Sequence, residues 1–176
     1  LVLGSLILTV AVGAQATEAP QYGIGRTPTS AEIAGWNIDV RADGAGLPSG
    51  HGAVSDGQTV YARKCAACHG DQGQGDPMDA LVGGKGTLAT AKPVRTVGSY
   101  WPYATTLYDY VHRAMPFNAP QSLTPDQVYA VTAYVLFLNG IVSKDAVMDA
   151  RSLPRVHMPN RNGFTSPDPR PDRPRR

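Results

Sequence analysis

The sequence is poor in cysteine. Of 176 residues only Cys65 and Cys68 are cysteines. A zinc site of the usual kind needs about four ligands, and no second pair at ligand spacing follows these two. The one disulfide they could form would close too small a loop to stabilise much. Aromatics make up 7% of the chain and the net charge is only +2, with no aromatics interleaved among the basic residues, so a nucleic-acid platform is excluded. The apolar run over residues 1–12 falls short of the roughly 20 residues that span a bilayer. No nucleophile–base pair and no phosphate-binding loop is present, so any catalysis is expected to belong to a partner.

Glycine and proline are abundant, at 19 and 15 residues, so much of the chain is loop. The length suits one ordinary domain with extensions. Residues 55–145 carry seven basic and seven acidic side chains, whereas residues 149–176 carry seven arginines against three aspartates. The balanced part reads as the folded domain, and the basic excess sits in a tail.

The chemistry is concentrated in Cys65-Ala66-Ala67-Cys68-His69. Two cysteines three apart on a helical turn project to one side and match the two vinyl groups on one haem edge. The next residue then holds an imidazole under the iron. A thioredoxin-like pair would follow a strand, whereas Cys65 follows Val60-Tyr61-Ala62-Arg63-Lys64, which reads as a helix end. One covalently bound haem c, with Cys65 and Cys68 as its attachment points and His69 as the fifth iron ligand, is therefore expected. A porphyrin would supply the interior that a small, loop-rich chain lacks, so the apoprotein is expected to be poorly folded.

Along the chain, residues 1–12 are apolar and Ala14-Gln15-Ala16 gives the small-x-small pattern of a cleavage site, so residues 1–16 read as a signal peptide. The alternative is a retained anchor that is longer upstream, and membrane contact is expected only in that case. Residues 17–54 read as an extended arm. Within it Thr29-Ser30-Ala31-Glu32 resembles a capping box for a short helix through Gly35, and Trp36-Asn37-Ile38-Asp39-Val40-Arg41 alternates apolar and polar. Such an arm packs on its own domain or wraps a partner.

The monohaem domain is placed at residues 55–145. Ser55 or Asp56 is expected to cap a first helix running to about Ala66. The glycine-rich stretch 70–98 reads as a loop wrapped around the haem edge. Residues 100–114 read as a helix with Leu107, Tyr110 and Val111 on one face. Thr124-Pro125-Asp126-Gln127 and Asn139-Gly140 bound a last helix whose apolar stripe is Val128, Val131, Val135 and Leu138. Gly57 or Ala62 facing Tyr134 is the expected crossing of first and last helices. The tail, residues 146–176, is rich in proline and arginine and is expected to be disordered alone or laid on another subunit.

The sixth ligand comes from Met78, Met115, Met148 or Met158, or from His51, His112 or His157 in a bis-histidine site. Met115 is the best placed: it follows a helix that can form the distal wall, and Pro116 keeps the chain extended there. A thioether ligand stabilises ferrous iron and raises the potential, and six-coordinate iron leaves no vacant position, so the expected task is one-electron relay. Arg95, Tyr100 and Trp101 are candidate propionate donors, each with an ordinary surface or packing role as the alternative.

Several stretches resemble the cytochrome c subunit of bacterial sulfite and sulfane dehydrogenases. They are Tyr22-Gly23-Ile24-Gly25-Arg26, Trp36 to Arg41 with Asp43-Gly44 and Gly46-Leu47-Pro48, Tyr61 to Gly70, Pro93 to Ala104, and Ala114-Met115-Pro116-Phe117. The resemblance covers most of residues 22–142. It implies an all-α, class I cytochrome c fold, with three to five short helices around one haem, and His69 and Met115 as axial ligands. It also implies a periplasmic electron-transfer subunit, not an enzyme on its own. Such a subunit accepts electrons from a molybdopterin sulfite-oxidase-like subunit and passes them to a soluble cytochrome c or a terminal oxidase. The alternatives are a cytochrome subunit of another periplasmic dehydrogenase or oxidase, and a haem enzyme or sensor in which Met115 leaves the iron.

Overall fold

The computed structural model describes residues 23–165. The expected signal segment 1–16, the start of the arm and the Arg/Pro-rich end beyond residue 165 lie outside the described residues. The chain divides into two units, Leu1–Trp36 and Asn37–Arg176.

In the first unit, helix α1 (Ser30–Trp36) begins as the capping-box reading requires. The Glu32 carboxylate accepts the Thr29 N–H at 2.8 Å, and the Thr29 hydroxyl accepts the Glu32 N–H at 3.3 Å. Arg26 pairs with the same carboxylate, and this bond, followed by those from Thr29, holds the Glu32 carboxyl down at about 2. No residue of α1 is buried.

The second unit is helical, as expected. It contains α2 (Val54–Lys64), α3 (Ala66–His69), α4 (Ala104–Ala114) and α5 (Pro125–Leu138), with two short strands, β1 (His51–Ala53) and β2 (Val147–Asp149). Helix α5 has both reciprocal bonds of its capping box: the Thr124 hydroxyl accepts the Gln127 N–H at 3.3 Å, and the Gln127 side chain accepts the Thr124 N–H at 2.9 Å. The expected single apolar stripe is too narrow, because every residue from Val128 to Leu136 is buried. The helix is apolar nearly all round because α2, α4 and both strands pack on it.

Helix α2 crosses α5 at Gly57, where an added Cβ would run into the Ala130 carbonyl and the Tyr134 side chain. Gly57, not the exposed Ala62, is thus the small residue of the expected crossing, and Tyr61 continues it with its ring 5.3 Å from that of Tyr134. Neither Ser55 nor Asp56 caps α2. The helix starts earlier, at Val54, whose N–H donates to the Ala146 carbonyl at 3.1 Å, so backbone replaces the side-chain cap. Helix α4 starts at Ala104 and not at Tyr100. Pro102 keeps Trp101 out of the helical region, and Tyr103 is extended at φ −137 and ψ 135. The buried face of α4 includes Tyr108, while Tyr110 is 48% exposed.

Residues 37–54 pack on their own unit. Ile38 and Val40 turn inward while Asn37, Asp39 and Arg41 face solvent, so the expected alternation holds from Asn37 on; it fails at Trp36, which ends α1 and is 86% exposed. The Tyr129 hydroxyl donates to the Pro48 carbonyl at 2.8 Å, and Asp126 accepts the His51 N–H at 2.8 Å.

The expected disorder of the tail does not hold for its first part. β2 pairs antiparallel with β1, Gly52 opposite Met148, and Leu153, Val156 and Met158 are buried. Asn160 donates to the Tyr100 carbonyl at 2.7 Å, and the Phe164 ring meets the Tyr100 ring at 5.1 Å. Four apolar residues, Met148, Leu153, Val156 and Met158, spread among prolines and arginines show no period, yet they are enough to seat this segment.

Two outcomes follow. Gly57→Val should cost about 1–3 kcal/mol through overpacking, read from denaturant unfolding of the holoprotein, whereas Ala62→Val should be near neutral. Burial works to raise the Asp109 carboxyl, but hydrogen bonds from Arg113 and from the Val40 N–H outweigh it and hold it below its ordinary value. A depressed carboxyl contributes stability above its unfolded pKa of about 3.9 and loses it as pH falls through the folded value. Asp109→Asn should therefore lower stability by a constant amount above about pH 5, and the gap should close in more acid solution.

Candidate functional site

The attachment motif is shaped by a kink at Cys65. This residue ends α2 and begins α3 with φ −126 and ψ −39, and its carbonyl accepts the N–H groups of Cys68 at 3.1 Å and His69 at 3.0 Å. One tight turn thus carries both thiols and the imidazole. The cysteines are not joined: Cys65 is half-buried and Cys68 exposed. Burial, with a smaller contribution from Cys68, pushes the Cys65 thiol up to about 11.

His69 is fixed through its outer nitrogen. Nδ1 stands 2.8 Å from the Asp79 carbonyl oxygen, which can only accept, so Nδ1 carries the proton and the Nε2 lone pair is left for a metal. The loop that supplies this carbonyl is fastened to the motif itself. The Met78 N–H donates to the Cys68 carbonyl at 2.9 Å, the Gly75 N–H to the His69 carbonyl at 2.9 Å, and the Tyr61 hydroxyl to the Gly70 carbonyl at 2.9 Å. Burial first, then the nearby Cys65, raises the Tyr61 phenol to about 12, so it stays a donor.

Met115 follows α4 in an extended conformation, φ −122 and ψ 145, with its N–H donating to the Val111 carbonyl at 3.1 Å. It is half-buried, and Pro116 behind it is buried. The other candidates divide by burial. Met148 and Met158 are core residues at 6% and 0% exposure, whereas Met78 is 54% exposed. His51 and His157 are exposed; His112 is half-buried, with Nδ1 enclosed and without a partner among the described residues.

The donor set fits a haem. Thiol pair, oriented imidazole and half-buried methionine lie within one unit. Val60, Leu81, Trp101, Val111 and Phe137 pack on the core while staying half-exposed, so apolar side chains are available to cover a porphyrin. Among the described residues no three His, Cys, Asp or Glu side chains cluster to hold a bare metal ion.

Of the candidate propionate donors, Arg95 lies over the Tyr100 ring at 5.6 Å and Trp101 meets the Tyr110 ring edge-on at 5.7 Å. The Arg95 guanidinium and the Tyr100 hydroxyl make no hydrogen bond among the described residues. The Asp79 carbonyl was not foreseen. A backbone acceptor ten residues from its histidine leaves no mark in residue identity.

Residues 54–139 match the family model described as Cytochrome c. Among solved structures, the chain is similar to one in the crystal structure of the sulfane dehydrogenase SoxCD from Paracoccus pantotrophus. The identity is 45% and the TM-score 0.79, over 85% of this chain and 73% of that one.

Proposed function

The chain belongs to the cytochrome c family, as a class I c-type cytochrome of the sulfur-oxidation type with covalently bound haem c, and from that premise we propose that it is the periplasmic electron-transfer subunit of a molybdenum sulfite or sulfane dehydrogenase. Haem c, when bound, supplies a ferric/ferrous couple that carries one electron at a time. Cys65 and Cys68 hold its edge by thioether bonds, and their one-turn spacing fixes its orientation. His69 offers Nε2 on one face while the Asp79 carbonyl retains the Nδ1 proton. Met115 would offer a soft sulfur as the second ligand, which favours the reduced state. Arg95, Tyr100 and Trp101 are the residues that would donate to its propionates.

An iron held by both His69 and Met115 would have no position left for oxygen, peroxide or a sulfur compound. The chain therefore relays electrons, and oxidation of the substrate belongs to the partner. Residues 1–16 direct export, and the acceptor is a soluble cytochrome c or a terminal oxidase. Among the described residues no helix is long and apolar enough to cross a membrane. The observation that carries the reading is the orientation of His69, whose free nitrogen and adjoining thiol pair match one haem edge; likeness to a sulfane dehydrogenase chain supports the choice of partner.

Cys65→Ser with Cys68→Ser should abolish haem that survives denaturing electrophoresis. His69→Ala should keep attached haem but lose the six-coordinate low-spin spectrum. Sulfite or a sulfane substrate should reduce the holoprotein when the molybdenum subunit is added, and alcohol or quinol systems should not. Reduction by those systems and never by the sulfur compounds would remove the proposed partner.

A further inference from the structure

Helix α4 carries a polar stripe that none of the roles above uses. Thr105, Asp109 and Arg113 are four residues apart and so stack along one face. Each holds one part of the segment 39–42. The Thr105 hydroxyl donates to the Ala42 carbonyl at 3.2 Å, Asp109 Oδ1 accepts the Val40 N–H at 2.9 Å, and the Arg113 guanidinium pairs with the Asp39 carboxylate. The order is antiparallel, and the lengths agree. Three steps of extended chain cover about 10 Å and eight of helix about 12 Å. The segment lies along α4 as a splint from its first turn to its last.

Arg113 is locked at the far end. Its Nε and Nη2 each donate to Asp109 at 3.0 Å while the same head reaches Asp39. Met115 stands two residues further on. Its N–H makes the last helical bond, and Pro116 has no N–H to add another. The direction in which the last turn of α4 ends therefore decides where the Met115 side chain starts.

We propose that this splint positions Met115, with Asp39, Asp109 and Arg113 as positioning residues that set how firmly its sulfur holds the iron. The inference rests on Met115 being the axial ligand. Thioether is a weak ligand for ferric iron, so a small change in its starting geometry shifts the bound fraction.

The test uses ferric holoprotein. The readouts are the far-red sulfur-to-iron charge-transfer band, the reduction potential, and displacement of the sulfur by added imidazole. Asp109→Asn removes a charge-assisted pair and should shift the bound-to-displaced ratio by about tenfold, seen as tighter imidazole binding, a weaker band and a lower potential. Arg113→Lys keeps the charge but loses the fork, so it should fall between Asp109→Asn and the parent. Asp39→Asn alters a side chain that is 73% exposed, so it tests the splint without threatening the fold, and the same shift is expected in smaller degree. Lowered melting temperatures with unchanged band, potential and imidazole affinity would overturn the proposal. Met115→Ala separates the two claims. If it retains the band, the ligand assignment falls and the splint's role with it; if it alone loses the band, only the splint is overturned.

Discussion

Helix α5 is enclosed along almost its whole length, and that enclosure governs the rest of the second unit. A helix apolar on every side must find cover on every side. Backbone can come that close only where the covering element carries no side chain. Gly57 of α2 and Gly52 of β1 both face Ala130, and a Cβ at either would collide with it. On the α4 side, large rings do the same work, with the Tyr108 ring tilted against that of Tyr129, their centres 4.5 Å apart. The enclosure also explains the C-terminal segment, since Met148, Leu153, Val156 and Met158 join the core that α5 anchors.

These contacts place the two ends that matter for chemistry. Helix α2 is fixed by its crossing, so the kink at Cys65 and the turn after it are delivered to a set position. Helix α4 is fixed by α5 on its core side and by residues 39–42 on its outer side, so Met115 leaves it in a set direction. Between them the loop from Gly70 to Tyr103 has no regular element. It is held by hydrogen bonds instead, among them Thr96 to the Gly83 carbonyl at 2.6 Å and Ser99 to the Val94 carbonyl at 2.6 Å. Loop backbone, not helix or strand, thus supplies the carbonyl that orients His69.

Electron relay fits a site of this kind because little has to move. One turn carries the thiols and the imidazole, and the helix that residues 39–42 brace carries Met115 at its end. The arm that braces α4 runs on directly from the first unit at Trp36.

Much was legible in the sequence where the determinant is local. Cys65-Ala66-Ala67-Cys68-His69 specifies its turn and its chemistry by spacing alone. Thr124 and Gln127 mark the start of α5, and Thr29 and Glu32 that of α1, because a capping bond spans three residues. Pro102 also carries a local signal, one that agrees with the start of α4 at Ala104 and not at Tyr100. The remainder depends on residues far apart in the chain. That Val54 is capped by Ala146, that Asp79 orients His69, and that residues 39–42 lie along α4 are facts of backbone carbonyls and amides, which every residue carries and which no identity distinguishes. The sequence by itself determined the covalent chemistry and the capped starts of α1 and α5; tertiary packing alone decided where α2 begins, which carbonyl meets which imidazole and which side of each helix is covered, since those follow from how the elements close around α5.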